Sequence, residues 1–166
     1  RENKVMSLKT RFGNLGNILD FDNLTEETIY VLDSPILTNS QFKKFRKFFS
    51  KKTKVIDCTF DINLSLKERI EAIRGEAEIS VREGSTCLIL SDKNITNNKA
   101  SIPSILTVGA VHSHLVKLGL RGYCSLNVEC SDALDTHSFA VLIGVGATTV
   151  NPYLSIDSIY QRFEKK

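Results

Sequence analysis

The sequence is poor in the features that announce chemistry. Its four cysteines, Cys58, Cys87, Cys124 and Cys130, form no C-x-x-C pair, and they sit inside or beside apolar runs, so they read as reduced, buried thiols of a cytosolic kind rather than as a disulfide framework or a zinc ribbon. No window approaches 18 apolar residues, which excludes a membrane-spanning helix. Charge of one sign is not in excess: 22 basic against 19 acidic residues leave +3, too slight to argue for nucleic acid or an anionic surface. No fixed-period repeat, low-complexity tract or long Pro/Gly/Ser linker divides the chain, so residues 1–166 read as a single domain. G-x-S-x-G, Walker and H-E-x-x-H motifs are all missing, and no catalytic nucleophile stands out. The basic start at Arg1 lacks the apolar core of a signal peptide and reads as a fragment of a longer chain.

What is present is an alternation of short apolar strands and amphipathic helices, the pattern of βαβ units on a parallel sheet. Strands are expected at Thr28–Leu32, Lys54–Phe60, Thr86–Leu90, Tyr123–Glu129 and Thr148–Asn151, each followed by a helical segment. Between Leu66 and Arg82, Leu66, Ile70, Ile73, Ala77 and Val81 recur at helical spacing. Gly75 weakens that helix and suggests a close packing contact, while Gly84 ends it. Ser101–Leu118 is apolar on most sides and reads as a buried helix with Pro103 in its first turn. The fold class is therefore α/β. Five βα units fall short of a closed eight-stranded barrel, so a partial TIM-barrel-like sheet is expected.

Each chemically suggestive feature has a plain structural reading beside it. In Asn39–Lys54, Lys43, Lys44, Arg46, Lys47, Lys51, Lys52 and Lys54 carry no acid among them and alternate with Phe42, Phe45, Phe48 and Phe49. The phenylalanines share one helical face, so they read as core and the basic residues as its solvated back, against a nucleic-acid-binding alternative. His112 and His114 are two apart on a helix and point away from each other, which speaks against a metal site. His112 and His137 read as buried structural rings, each needing a hydrogen-bond partner. Gly144-Val145-Gly146 closes a helix and leads into a strand, the reverse order of a phosphate loop. In Tyr123–Cys130, Tyr123, Ser125, Asn127 and Glu129 alternate with apolar residues, giving one polar strand face. That face suits either an internal hydrogen-bond network or, with Asp92, a rim pocket in which Asp92 and Glu129 act as acid and base. At Asn151-Pro152-Tyr153 the proline ends a strand at the rim. Ser155 or Asn151 is expected to cap a last helix whose stripe of Ile156, Ile159, Tyr160 and Phe163 covers the sheet, and Tyr153 to be packed at an interface.

Longer blocks carry a family resemblance. Arg1–Leu8, Asn14–Leu19, Cys87–Asp92 (CLILSD), Ala100–Leu115 (ASIPSILTVGAVHSHL) and His137–Leu154 (HSFAVLIGVGATTVNPYL) resemble, in order and spacing, the central domain of the large subunit of glutamate synthase. Ser113, Ser138 and Val145 depart from its usual residues at packing positions. The resemblance implies an enzyme making two glutamates from glutamine and 2-oxoglutarate with electrons from a nicotinamide cofactor or ferredoxin. It places the glutamine-hydrolysing cysteine in an amidotransferase domain, and FMN and an iron–sulfur cluster in a flavin domain. It assigns this segment no catalytic residue, cofactor or metal of its own, and gives it the role of a scaffold and a wall of the ammonia passage. Its implied partners are those two domains and an electron-donating subunit or ferredoxin, without nucleic acid or membrane. The implied location is cytoplasmic, or plastid in a plant or alga.

Overall fold

A computed structural model describes residues 7–12 and 30–164. The chain divides into two compact units, Arg1–Pro35 and Ile36–Lys166. The described part of the first holds strands β1 (Thr10–Phe12) and β2 (Tyr30–Leu32), paired antiparallel. The expected strand at Thr28–Leu32 thus forms an antiparallel pair rather than a stave of the parallel sheet, and its first two residues lie outside the described residues.

The second unit runs α1 (Asn39–Phe48), β3 (Thr53–Asp57), β4 (Thr59–Asp61), α2 (Leu66–Arg82), β5 (Cys87–Ser91), β6 (Lys99–Ser101), α3 (Ser104–Lys117), β7 (Ser125–Glu129), α4 (Thr136–Gly144), β8 (Thr149–Asn151) and α5 (Tyr153–Glu164). Its sheet is parallel throughout, in the order β3-β5-β7-β8. A parallel bridge from Ile36 to Val150 and the Leu37 N–H to Val150 carbonyl bond of 2.9 Å add a fifth stave beside β8. The next strand in the chain, β3, lies at the other edge of the sheet. Ten residues of α1 span about 15 Å, enough to return to the sheet's start.

Strand alternation divides the sheet into two faces. Ile56, Leu88, Leu90, Leu126, Val128 and Val150 point one way and form the main core with Ile73, Ala77 and Val81 of α2 and Val108, Val111 and Leu115 of α3. Cys87, Ile89, Asn127, Glu129, Thr149 and Asn151 alternate with them and are buried as well.

The helix over Leu66–Arg82 has the bounds that its periodicity predicts, with Ser65 as its N-cap and Gly84 at φ 94° behind it. Gly75 differs from expectation, because a Cβ there would meet nothing within 4 Å. The single strand expected at Lys54–Phe60 is two. Asp57 Oδ1 accepts from both the N–H and the hydroxyl of Thr59, at 3.0 and 2.8 Å, and turns the chain at Cys58. The outgoing strand β4 then pairs antiparallel with β6. Helix α3 starts at Ser104, since Ser101 belongs to β6. In α1 the buried face is Phe42 and Phe45, while Phe48, expected in the core, is 49% exposed.

Candidate functional site

Polar groups gather where the parallel strands end. The register aligns Ser91 with Glu129 and Glu129 with Asn151, so the residues following β5, β7 and β8 share one rim. Glu129, 4% exposed, accepts 2.7 Å bonds from the Ser91 hydroxyl and from Lys93 Nζ. The Lys93 ammonium also lies 4.8 Å from the centre of the Tyr153 ring, a cation–π contact. Asp92, 2% exposed, accepts at Oδ2 from the Ser131 N–H and hydroxyl, at 2.9 and 2.6 Å. Its Oδ1 is buried and makes no hydrogen bond. Burial first, and then the Asp92 charge, push the Tyr153 phenol up to about 12. Asn151, 1% exposed, donates to the Leu37 carbonyl and to Asn39 Oδ1, both at 2.9 Å, and Asn39 donates to Asp157 at 2.6 Å.

One layer below, Asn127 donates to the Leu88 carbonyl and to Ser125 Oγ and accepts from the Thr149 hydroxyl at 2.7 Å. The polar face is thus internally bonded in two sets, one joining Ser125, Asn127 and Thr149 and the other joining Glu129 to Ser91 and Lys93. Tyr123 is outside it, in a 3-10 turn and 58% exposed. Asp92 and Glu129 are brought to one rim but turn to different partners, a serine for one and a serine with a lysine for the other. Lys93 and Ser131 complete this rim and were not anticipated; their only signal is that each closely follows a strand's last residue.

The histidines part company. His112 is half-buried and accepts at Nδ1 from Arg121 Nε, 3.1 Å away. Arg121 also donates to the carbonyls of Cys124 and Gly146 and to Thr148 Oγ1, tying the starts of β7 and β8 together. Burial, and secondarily the Arg121 charge, lower the His112 pKa, so the ring is held as a neutral acceptor. Gly146, at φ 121°, lets the backbone meet the ring: a Cβ there would clash with His112 Nδ1. His114 bridges helices, 3.2 Å from Arg74 and 2.9 Å from Glu78. His137, expected to be buried, is exposed in the first turn of α4. Asp135 caps that turn by accepting from the Ser138 N–H at 2.7 Å. At the last corner Pro152 is buried and Tyr153 half-buried. Ser155 does not cap α5 but donates to the Ala133 carbonyl at 2.7 Å. The stripe expected to cover the sheet does not do so: Ile159, Tyr160 and Phe163 are 55%, 59% and 72% exposed, and α5 buries no residue.

All four cysteines are buried and free, and burial pushes Cys58 and Cys130 up to about 12. Among the described residues no group of three His, Cys, Asp or Glu side chains converges as a metal or cluster site would require. Scattered neutral thiols do not fit an iron–sulfur cluster, and the glycines of 144–146 end a helix rather than open one, which does not fit a flavin phosphate. No helix among the described residues is long and apolar enough to cross a membrane.

The family model for the glutamate synthase central domain matches residues 1–166. The chain belongs to that family. It is 48% identical over 168 residues to the glutamate synthase [NADPH] large chain of Azospirillum brasilense, covering 99% of this chain and 11% of that protein. It is 35% identical over 167 residues to the chloroplastic ferredoxin-dependent glutamate synthase of Oryza sativa subsp. japonica, covering 97% and 10%. The glutamate synthase [NADPH] large chain of Bacillus subtilis is also 35% identical, over 99% of this chain and 11% of its own length. This glutamate synthase central domain therefore spans about a tenth of the relatives it matches. The expectation drawn from CLILSD and the longer blocks is met at the level of the family.

Proposed function

We propose that this central domain is a non-catalytic joint within a glutamate synthase large chain. It holds a glutamine amidotransferase domain and a flavin domain in register and contributes a wall to the passage that carries ammonia between them. The reaction served is the conversion of glutamine, 2-oxoglutarate and two reducing equivalents to two glutamates. FMN and an iron–sulfur cluster belong to the flavin domain, and electrons come from a nicotinamide-linked subunit or from ferredoxin. The setting is cytoplasmic, or plastid in a photosynthetic eukaryote. Enclosure matters chemically because ammonia that reaches bulk water is protonated and ceases to be a nucleophile.

The observation that carries this reading is α5, whose Ile159, Tyr160 and Phe163 share one helical face and present an exposed apolar stripe outside the domain's own core. Such a face on a helix that buries none of its residues suits an interdomain contact. The rim supports the non-catalytic half of the proposal, since Glu129 is occupied by Lys93 and Ser91, and Asp92 is held at Oδ2 by Ser131. The test is to replace Ile159 and Phe163 with serine in the large chain and to measure glutamine hydrolysed, glutamate formed and ammonia released. The expected result is continued hydrolysis with a severalfold fall in glutamate per glutamine and free ammonia in the medium. An unchanged ratio would remove α5 from the joint. Loss of activity in Glu129→Gln with ammonia supplied directly would instead favour an acid–base role for the rim.

A further inference from the structure

The described charges are unevenly compensated. On α2, Arg69, Arg74 and Arg82 each meet a carboxylate, at 3.0, 2.7 and 2.9 Å. On α1, the turn after it and the start of β3, Lys43, Lys44, Arg46, Lys47, Lys51 and Lys54 are all exposed, and none makes an ion pair among the described residues. With Lys52 they make seven cations in twelve residues; removing them from the 22 leaves 15 against 19 acids, so the rest of the chain is net −4. Helical spacing places Lys43, Lys44 and Lys47 opposite the buried Phe42 and Phe45, with the half-exposed Phe48 one turn on from Lys44. Arg46 and Lys47 are favourable at the helix's negative end, but Lys43 and Lys44 in its first half are not. Water and salt screen part of this self-repulsion, and a surface of the opposite sign would relieve the rest.

We infer that the basic face of α1 docks an acidic protein surface on another domain of the large chain. The inference rests on the reading of this segment as a joint. An acidic protein patch fits better than nucleic acid because the basic face is short and the remainder of the domain is net negative, which would repel a phosphate backbone running past it. Opposed patches of this size fix orientation and register more than they add affinity.

The experiment is carbodiimide crosslinking of the intact large chain, which joins a lysine directly to a touching carboxylate, followed by peptide mass spectrometry. Crosslinks are expected from Lys43, Lys44 or Lys47 to Asp or Glu outside residues 1–166. The same lysines should be acetylated severalfold more slowly than exposed Lys67 and Lys117. In the triple variant K43E/K44E/K47E, Lys51 should be acetylated as fast as Lys67, whereas K43R/K44R/K47R should keep the docking, seen as unchanged protection of Lys51. Acetylation as fast as at Lys67, crosslinks only to acids within residues 1–166, or recovery of these lysines bound to nucleic acid would each overturn the inference. The crosslink tests this surface alone; the ammonia balance of the α5 variants tests the joint itself.

Discussion

Two glycines show how one atom's surroundings reverse the sign of a substitution. Gly146 is held at φ 121° with the His112 ring against it. Gly146→Ala therefore meets both left-handed backbone strain and a clash, and urea denaturation should show a loss of about 2–4 kcal/mol. Gly75 lies in mid-helix with open space around it, and Gly75→Ala should gain up to about 1 kcal/mol in the same experiment. Neither outcome was legible in the sequence, where Gly75 suggested tight packing and Gly146 was only the end of a helix. Close approach depends on what the fold brings from another element. His112 extends the same point to pH. Its folded pKa is lowered, so below the ordinary histidine value of about 6.5 the unfolded chain binds more protons than the native one. The stabilisation is complete above that pH and is lost as pH falls through the depressed folded value. Thermal midpoints measured from pH 7.5 to 5 should fall more steeply for the native sequence than for His112→Gln.

At the scale of elements, what periodicity reads well is a face, and what it cannot read is what the face meets. The bounds of α2 and the alternation of Ser125 to Glu129 follow from residue spacing alone, because both are properties of a single segment. The break between β3 and β4 is invisible in the apolar run Lys54–Phe60, since it depends on Asp57 capturing Thr59. The stripe of α5 is just as clear as that of α2, yet the domain's own sheet does not lie under it. Local chemistry of this kind can also set an element's stability. Helix α1 begins in a capping box, with Thr38 accepting from the Gln41 N–H and the Gln41 side chain accepting from the Thr38 N–H at 2.9 Å. Its first turn carries no acid to assist. Thr38→Ala should therefore cost about 1 kcal/mol by denaturant titration, and Thr38→Ser should recover most of it.

For the molecule as a whole, the critical seam is the one between the stave at Ile36–Leu37 and the end of β8. The four parallel strands β3, β5, β7 and β8 are joined by full ladders, with helices α2 and α3 on the main core. The fifth stave has only a bridge and the Leu37 to Val150 bond. Asn151 reinforces it by donating to the Leu37 carbonyl and to Asn39, and Asn39 passes the contact to Asp157 on α5. That chain of amides makes the rim corner predicted at Asn151-Pro152-Tyr153 a fastener between the first and last elements of the unit. Asn151→Ala leaves the Leu37 carbonyl buried without this donor and should cost about 1–3 kcal/mol. The loss should be local, because the neighbouring ladders share none of these bonds. In native-state hydrogen exchange, the Leu37 amide should exchange far faster in the variant while Leu88, Leu90 and Val128 keep their protection. Equal acceleration across all the strands would mean that the seam is no weaker than the sheet, and that Asn151 supports the domain throughout rather than at one edge.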